Sequence, residues 1–170
     1  MPALGTSGLS SDTALGDWYI NRIVVHRQPL LLMVSSTSLL PILIPARNVL
    51  SLPDRIADLV HSRLVRRGVE AVAIEAERKA MGQIEIGPTV NRSVLGIMTD
   101  FAKSVSYHLS GGNFDETTLL VVEESLASTP CYASRTFDRV IFPERKAPEL
   151  LRMKWLDNTP LPPAIERRGS

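Results

Sequence analysis

Residues 18–44 read WYINRIVVHRQPLLLMVSSTSLLPILI, and this stretch decides the fold. Three runs rich in Val, Ile and Leu are separated by polar breaks at Arg27-Gln28-Pro29 and at residues 35–38. Apolar runs of this length between turn residues are typical of strands, and Pro41 places the last one near an edge or a bulge. The pattern therefore predicts a meander of three antiparallel strands: residues 18–25, 30–34 and 39–44.

Helical patterning replaces the strand pattern in the rest of the chain. Apolar residues recur there at helical spacing between capping residues and glycine or proline stops. The predicted helices lie between Ser51 and Gly68, Val69 and Gly82, Asn91 and Gly111, and Asp115 and Pro130, with a terminal candidate at Pro148–Trp155. Strands first and helices after predict an α+β fold, in which the small antiparallel N-terminal meander packs on one face against about four helices.

The length of 170 residues fits one domain with tails. Residues 1–14 are rich in Gly, Ser, Thr and Ala and are predicted to be a flexible lead-in. Residues 15–156 are predicted to form the single α+β domain. Residues 157–170 contain three prolines and are predicted to be a Pro-rich tail.

Composition restricts the compartment and the partners. A net charge of +1 and few aromatic residues give no strong nucleic-acid signal. Cys131 is the only cysteine, which excludes an internal disulfide and fits a reducing cytoplasm. The N-terminus has no signal-peptide pattern, and residues 23–44 are too interrupted by polar residues and prolines to span a bilayer. The sequence predicts a cytoplasmic protein with no membrane partner.

A glutamine-led apolar segment runs from the first predicted turn into the second predicted strand. Gln28-Pro29-Leu30-Leu31-Leu32-Met33 resembles the short peptides that dock into the apolar groove of bacterial sliding clamps. The amide of Gln28 would bond at the groove rim, and Leu31 and Met33 would fill the groove. The alternative interpretation makes this segment a core strand, as the burial tendency of such residues favours. The two interpretations conflict, because a strand in the core cannot present its leucines to a partner.

Two aromatic residues open the first strand. Trp18 and Tyr19 lie between the polar residues Asp17 and Asn21. They are candidates for an exposed aromatic anchor that binds a protein partner. The alternative, favoured for aromatic residues in strands, places them in the core with the indole N–H satisfied.

A polar group at the start of the third helix is the candidate anion site. Asn91, Arg92 and Asp100 accompany a helix N-terminus, whose exposed amides suit a phosphate. Capping of the helix by Asn91 is the simpler interpretation.

Candidate catalytic groups do not combine in the sequence. His26, His61 and His108 have no metal-ligand spacing, and no nucleophile has an adjacent base. Cys131 is interpreted as a small apolar filler. The sequence therefore favours a protein without enzymatic activity, metal or cofactor.

Four segments, in their order and spacing, resemble a bacterial domain of unknown function. They are Leu15-Gly16-Asp17-Trp18-Tyr19-Ile20-Asn21, Leu39-Leu40-Pro41-Ile42-Leu43-Ile44-Pro45, Asn91-Arg92-Ser93-Val94-Leu95-Gly96 with Met98 and Asp100, and Leu126-Ala127-Ser128-Thr129-Pro130-Cys131. The resemblance spans residues 15–153 and brings no family-wide catalytic residues.

Chains of this size and type also resemble toxins of the SocB kind, which pair with proteolysis-adaptor antitoxins carrying the Panacea domain. That resemblance implies a toxin that binds the β sliding clamp and blocks replication. Gln28, Leu31 and Met33 would carry the binding, although other family members tend to have basic residues where Gln28-Pro29 stands. Two alternatives stay open. One is a nucleotide- or phosphate-binding domain or enzyme using the Asn91 helix, and the other is a self-associating structural subunit.

Overall fold

The strands form one large sheet and one small pair. A computed structural model describes residues 4–6, 13–47, 49–82, 86–88, 92–112, 114–132 and 140–157. The strands are β1 (Leu4–Thr6), β2 (Trp18–Val25), β3 (Gln28–Ser35), β4 (Pro41–Pro45), β5 (Ile86–Pro88), β6 (Cys131–Tyr132) and β7 (Val140–Ile141). The antiparallel five-stranded sheet has the order β4-β3-β2-β1-β5, and β6 pairs separately with β7.

Within the described residues, five α-helices follow the meander. They are α1 (Leu52–Arg66), α2 (Ala71–Met81), α3 (Arg92–His108), α4 (Glu116–Ala127) and α5 (Pro143–Arg152). A short 3₁₀ turn, Val49–Ser51, leads into α1, and a π-helical turn, Met153–Asp157, extends α5. The α+β class is confirmed. The last helix begins at Pro143 rather than Pro148. Pro143 takes the first helical position, where its missing N–H is not needed, and Pro148 lies inside the helix.

The N-terminal meander is confirmed, with a shift at its first turn. His26 and Arg27 both have positive φ values, 49° and 66°, and form the two-residue turn. Gln28 and Pro29 therefore belong to β3 and pair with Val25 and Val24, instead of forming the turn. A turn with positive φ at both central residues matches the twist of the two strands that it joins.

Helices cover both faces of the sheet, whereas the sequence predicts them on one. Leu31, Met33 and Ile42 pack in one core with α1, α2 and α5. Leu32 and Val34 pack in a second core with α3 and α4. The apolar run in β3 is uninterrupted because the strand is buried on both faces, so its residues do not alternate between apolar and polar.

The predicted lead-in contributes a strand. Leu4–Thr6 pairs antiparallel with β2 on one side and with β5 on the other. β1 is defined by its backbone pairing on both sides. Its three residues, Leu4-Gly5-Thr6, are too few to show a strand pattern in the sequence. The predicted tail begins at Asp157, which closes the π-helical turn, and residues 158–170 lie outside the described residues.

Candidate functional site

The glutamine-led segment lies in the middle of the sheet. Leu31 is 3% exposed and Met33 is 0% exposed, and β3 is flanked by β2 and β4. Gln28 is exposed at the start of the strand. The folded domain thus offers Gln28 to a partner but not Leu31 or Met33. The core-strand interpretation describes these two side chains correctly.

The aromatic pair is also buried. Trp18 is 2% exposed and packs in the core beneath α1, whereas Tyr19 is 5% exposed and packs in the core beneath α3. Successive residues of a strand point to opposite faces, so each core receives one ring. These residues are core components rather than an exposed anchor.

The candidate anion site does not come together in the described residues. Asn91 lies outside them, and Arg92 and Asp100 are both exposed on α3. Eight residues of helix separate the last two by about 12 Å. Val94 and Met98 of the same segment are buried against the sheet. The segment therefore carries a packing stripe, and Arg92 and Asp100 do not share one site.

The first family-like segment is held by the serine-rich turn that follows β3. The hydroxyls of Ser35 and Thr37 donate to the carbonyls of Leu15 and Ala14, at 2.6 and 2.8 Å. The Ser36 hydroxyl accepts from the Asp17 amide at 3.0 Å. These bonds fix a loop far from the turn in sequence. A structural role therefore accounts for the segment around Gly16 and for the serine-rich turn that holds it.

A buried glutamate that the sequence reading did not single out fastens both ends of the domain. Glu77 of α2 is 1% exposed. Its carboxylate accepts from the amides of Ala14 (2.8 Å) and Leu15 (3.0 Å) and from the indole Nε1 of Trp155 (2.8 Å). The carboxylate thus joins the loop before β2 to the π-helical turn after α5. The sequence around Glu77 does not indicate these partners, because they lie 62 to 78 residues away in the chain.

A second buried glutamate closes the β4 edge of the sheet. Glu123 of α4 accepts from the outward-facing amide of Leu43 at 2.8 Å and from Arg63 Nε at 2.7 Å. Burial raises the pKa of Glu123, and the Arg63 guanidinium opposes that shift. Alternate residues of a strand share one hydrogen-bonding direction, so Pro41 and Pro45 occupy the other outward positions and have no N–H to offer. The predicted edge position of Pro41 is confirmed.

Cys131 lacks the environment of a nucleophile. The side chain is buried in the core beneath α3 and α4. Burial, and secondarily the charge of Asp100, raises the pKa of the thiol to about 11. The reactive thiolate is therefore a very minor form near neutral pH.

The described residues form neither a metal site nor a membrane-spanning helix. No group of three or more His, Cys, Asp or Glu side chains there could hold a metal ion. No helix in the same ranges combines the length and the apolar character that crossing a bilayer requires.

An open cleft lies between the β4 edge, α1 and the start of α4, and we call it the β4 cleft. Its volume is about 320 Å³. The lining residues are Leu43, Ile44, Pro45, Arg47, Arg55, Leu59, Arg63, Glu116, Leu119 and Leu120. Arginine and leucine side chains thus line one cavity. Arg55, Leu59 and Arg63 follow a four-residue spacing along α1, a stripe that the sequence displays.

A second, smaller cavity adjoins the first at the start of β3, and we call it the hairpin pocket. It measures about 220 Å³ and is lined by Gln28, Pro29, Leu30, Pro45, Ala46, Arg47 and Phe114. Pro45 and Arg47 line both cavities. Gln28 is the one residue of the predicted partner-binding set that lines a described cavity.

Comparison with known protein families gives a match over most of the chain. A sequence model of the family described as Domain of unknown function (DUF6933) matches residues 2–146. The matched range includes every described strand and helices α1 to α4. No curated protein and no solved structure matches the chain.

Proposed function

The chain belongs to the DUF6933 family of domains of unknown function, and on that premise we propose that it is a non-catalytic interaction protein whose partner binds in the β4 cleft. The observation that carries the proposal is the mixed lining, with arginines and half-buried leucines in one open cavity. Arginine is enriched at protein interfaces, and partly exposed apolar surface gains from being covered.

The edge of the sheet decides how such a partner binds. Addition of a partner strand to β4 requires free outward N–H groups. Leu43 already donates to Glu123, and Pro41 and Pro45 have no N–H. The partner therefore docks through side chains placed in the cleft, between α1 and α4, rather than by extending the sheet.

Selection of peptides from a random library displayed on phage tests this proposal. We expect enriched peptides to lose binding to the Arg47→Glu and Leu120→Glu variants, because both residues line the β4 cleft. Val121→Glu is the matched control, since Val121 is the next residue of α4, is 63% exposed and does not line the cleft. Urea unfolding of each variant shows that the fold is intact.

Two results would contradict the proposal. One is a selection in which no peptide is enriched. The other is a set of enriched peptides that bind the Arg47→Glu and Leu120→Glu variants as tightly as the unaltered domain, which would move the interaction to another surface.

A narrower form of the proposal is a toxin that binds the β sliding clamp. It is supported by the resemblance to SocB-type toxins and by the exposure of Gln28 beside the hairpin pocket. Because Leu31 and Met33 are buried, the folded domain cannot insert them into a groove of the clamp. Clamp contact in this form therefore uses Gln28 and the surface around it.

Titration of the purified clamp into the domain tests the narrower form. We expect binding that the Gln28→Ala variant weakens about tenfold, the loss of a contact at the centre of an interface. Arg92→Ala, which alters an exposed residue of α3, is the control and should bind normally. A domain that does not bind the clamp, or binds it equally well with Gln28→Ala, would exclude this form while leaving the cleft proposal in place.

A further inference from the structure

We propose that the β4 cleft recognises a carboxylate flanked by aliphatic side chains, so that the partner segment is an acidic peptide. This inference rests on the proposed function and names the chemistry of the occupant. It follows from the charge of the cleft lining, from the way one arginine is held, and from the apolar surface beside both.

The charge balance of the lining is positive. Three arginines line the cleft against one glutamate, Glu116. Arg63 is already paired with the buried Glu123 carboxylate. Arg47 is exposed, and it takes part in none of the ion pairs found among the described residues. A negative group in the cleft would therefore gain a partner without breaking an existing pair at Arg47.

The Arg55 guanidinium is held in place before any partner arrives. Its Nε donates to the Ser51 hydroxyl at 3.2 Å, and its Nη2 donates to the backbone carbonyl of Arg47 at 2.9 Å. These bonds commit Arg55 within the domain and hold the backbone of Arg47 at the cleft. The exposed guanidinium of Arg47, a planar group that matches the two oxygens of a carboxylate, is therefore the group that binds the partner.

The apolar part of the lining favours a peptide over a nucleic acid. Leu59 and Leu120 are half-buried in the free domain, so aliphatic side chains of a partner could cover them. A phosphate backbone offers no such groups, and the Glu116 carboxylate in the lining repels a dense polyanion. A carboxylate-bearing peptide satisfies both the arginines and the leucines.

Paired synthetic peptides test this inference. Peptides selected on the domain are made in two forms, with their Asp and Glu residues intact or replaced by Asn and Gln, and binding is followed by fluorescence polarisation. We expect the acidic form to bind about tenfold more tightly at low salt. The Arg47→Gln variant, which removes the charge without reversing it, should reduce that difference, and Glu116→Gln should strengthen binding of the acidic form about twofold. Glu75→Gln, on the exposed side of α2, is the control for a distant loss of negative charge.

The outcomes separate this inference from the proposed function. Selected peptides without acidic residues, or equal affinity of the two forms, would overturn the acidic-peptide inference while binding in the cleft stands. Binding that Leu120→Glu leaves unchanged would overturn both. A single-stranded oligodeoxynucleotide that binds more tightly than the peptides, with loss of binding in Arg47→Glu, would assign the cleft to nucleic acid instead.

Discussion

Replacing Glu77 with alanine is expected to lower the free energy of unfolding by about 3–5 kcal/mol. The carboxylate accepts from the amides of Ala14 and Leu15 and from the indole of Trp155. Its removal leaves the two buried amides and the half-buried indole without this acceptor. Each buried unsatisfied donor costs about 1–3 kcal/mol. Urea unfolding at neutral pH measures the change.

Glu75→Ala is the matched control for Glu77→Ala. Glu75 lies two residues away on α2 and is exposed, so its loss should change the free energy of unfolding by less than about 0.5 kcal/mol. Glu77→Gln should lie between the two, because the amide keeps one acceptor oxygen but turns an N–H₂ group toward donors. A Glu77→Ala variant as stable as Glu75→Ala would show that the carboxylate does not fasten the two ends of the domain.

Replacing Gly16 with alanine is expected to destabilise the domain by about 2–4 kcal/mol. Gly16 has a φ of 67°, and an added Cβ would lie 2.5 Å from Ser36 Oγ and 2.8 Å from Thr37 Cγ2. Neither neighbour can move away freely, since Ser36 accepts from the Asp17 amide and Thr37 donates to the Ala14 carbonyl. Thermal or urea unfolding measures the loss.

Gly96→Ala provides a control of opposite sign. Gly96 lies on the exposed side of α3, and nothing comes within 4 Å of an added Cβ. Alanine in a helix is more stable than glycine by about 0.5–1 kcal/mol, so this variant should be stabilised. If Gly16→Ala and Gly96→Ala changed the free energy of unfolding equally, the proposed structural requirement for glycine at position 16 would be wrong. A destabilising Gly96→Ala would point to an unrecognised contact of α3.

Local patterns explain which elements could be predicted from the sequence. Trp18–Val25 is predicted with its observed bounds, because an apolar run between turn residues depends only on its own residues. The Asp115 cap is confirmed by the Thr118 amide bonded to its side chain at 2.7 Å. Helix caps are likewise local, with both partners within one turn.

Long-range contacts explain what the sequence reading missed. Glu123 and Leu43 are 80 residues apart in the chain, and Glu77 and Ala14 are 63 apart. Neither carboxylate differs in its local sequence from a solvated glutamate on a helix. The helices on both faces did not follow from the sequence, because the apolar run of β3 does not show which elements cover its second face.

The candidate site was missed for a similar reason. The β4 cleft combines residues from the end of β4, from α1 and from the first turn of α4. The sequence instead favoured compact motifs as candidate sites, and the structure shows that those motifs stabilise the fold. The segment around Gly16 is a loop held by hydrogen bonds to residues 35–37, and the segment around Val94 packs on the sheet.

Mapping a selected peptide onto the domain by NMR shows whether a partner binds in the β4 cleft. The peptide is titrated into ¹⁵N-labelled domain while the backbone amide shifts are followed. We expect the largest shifts in β4 up to Arg47, in α1 from Arg55 to Arg63, and in the first turn of α4. Shifts concentrated on α3 between Arg92 and Asp100, with the β4 cleft unchanged, would contradict this expectation.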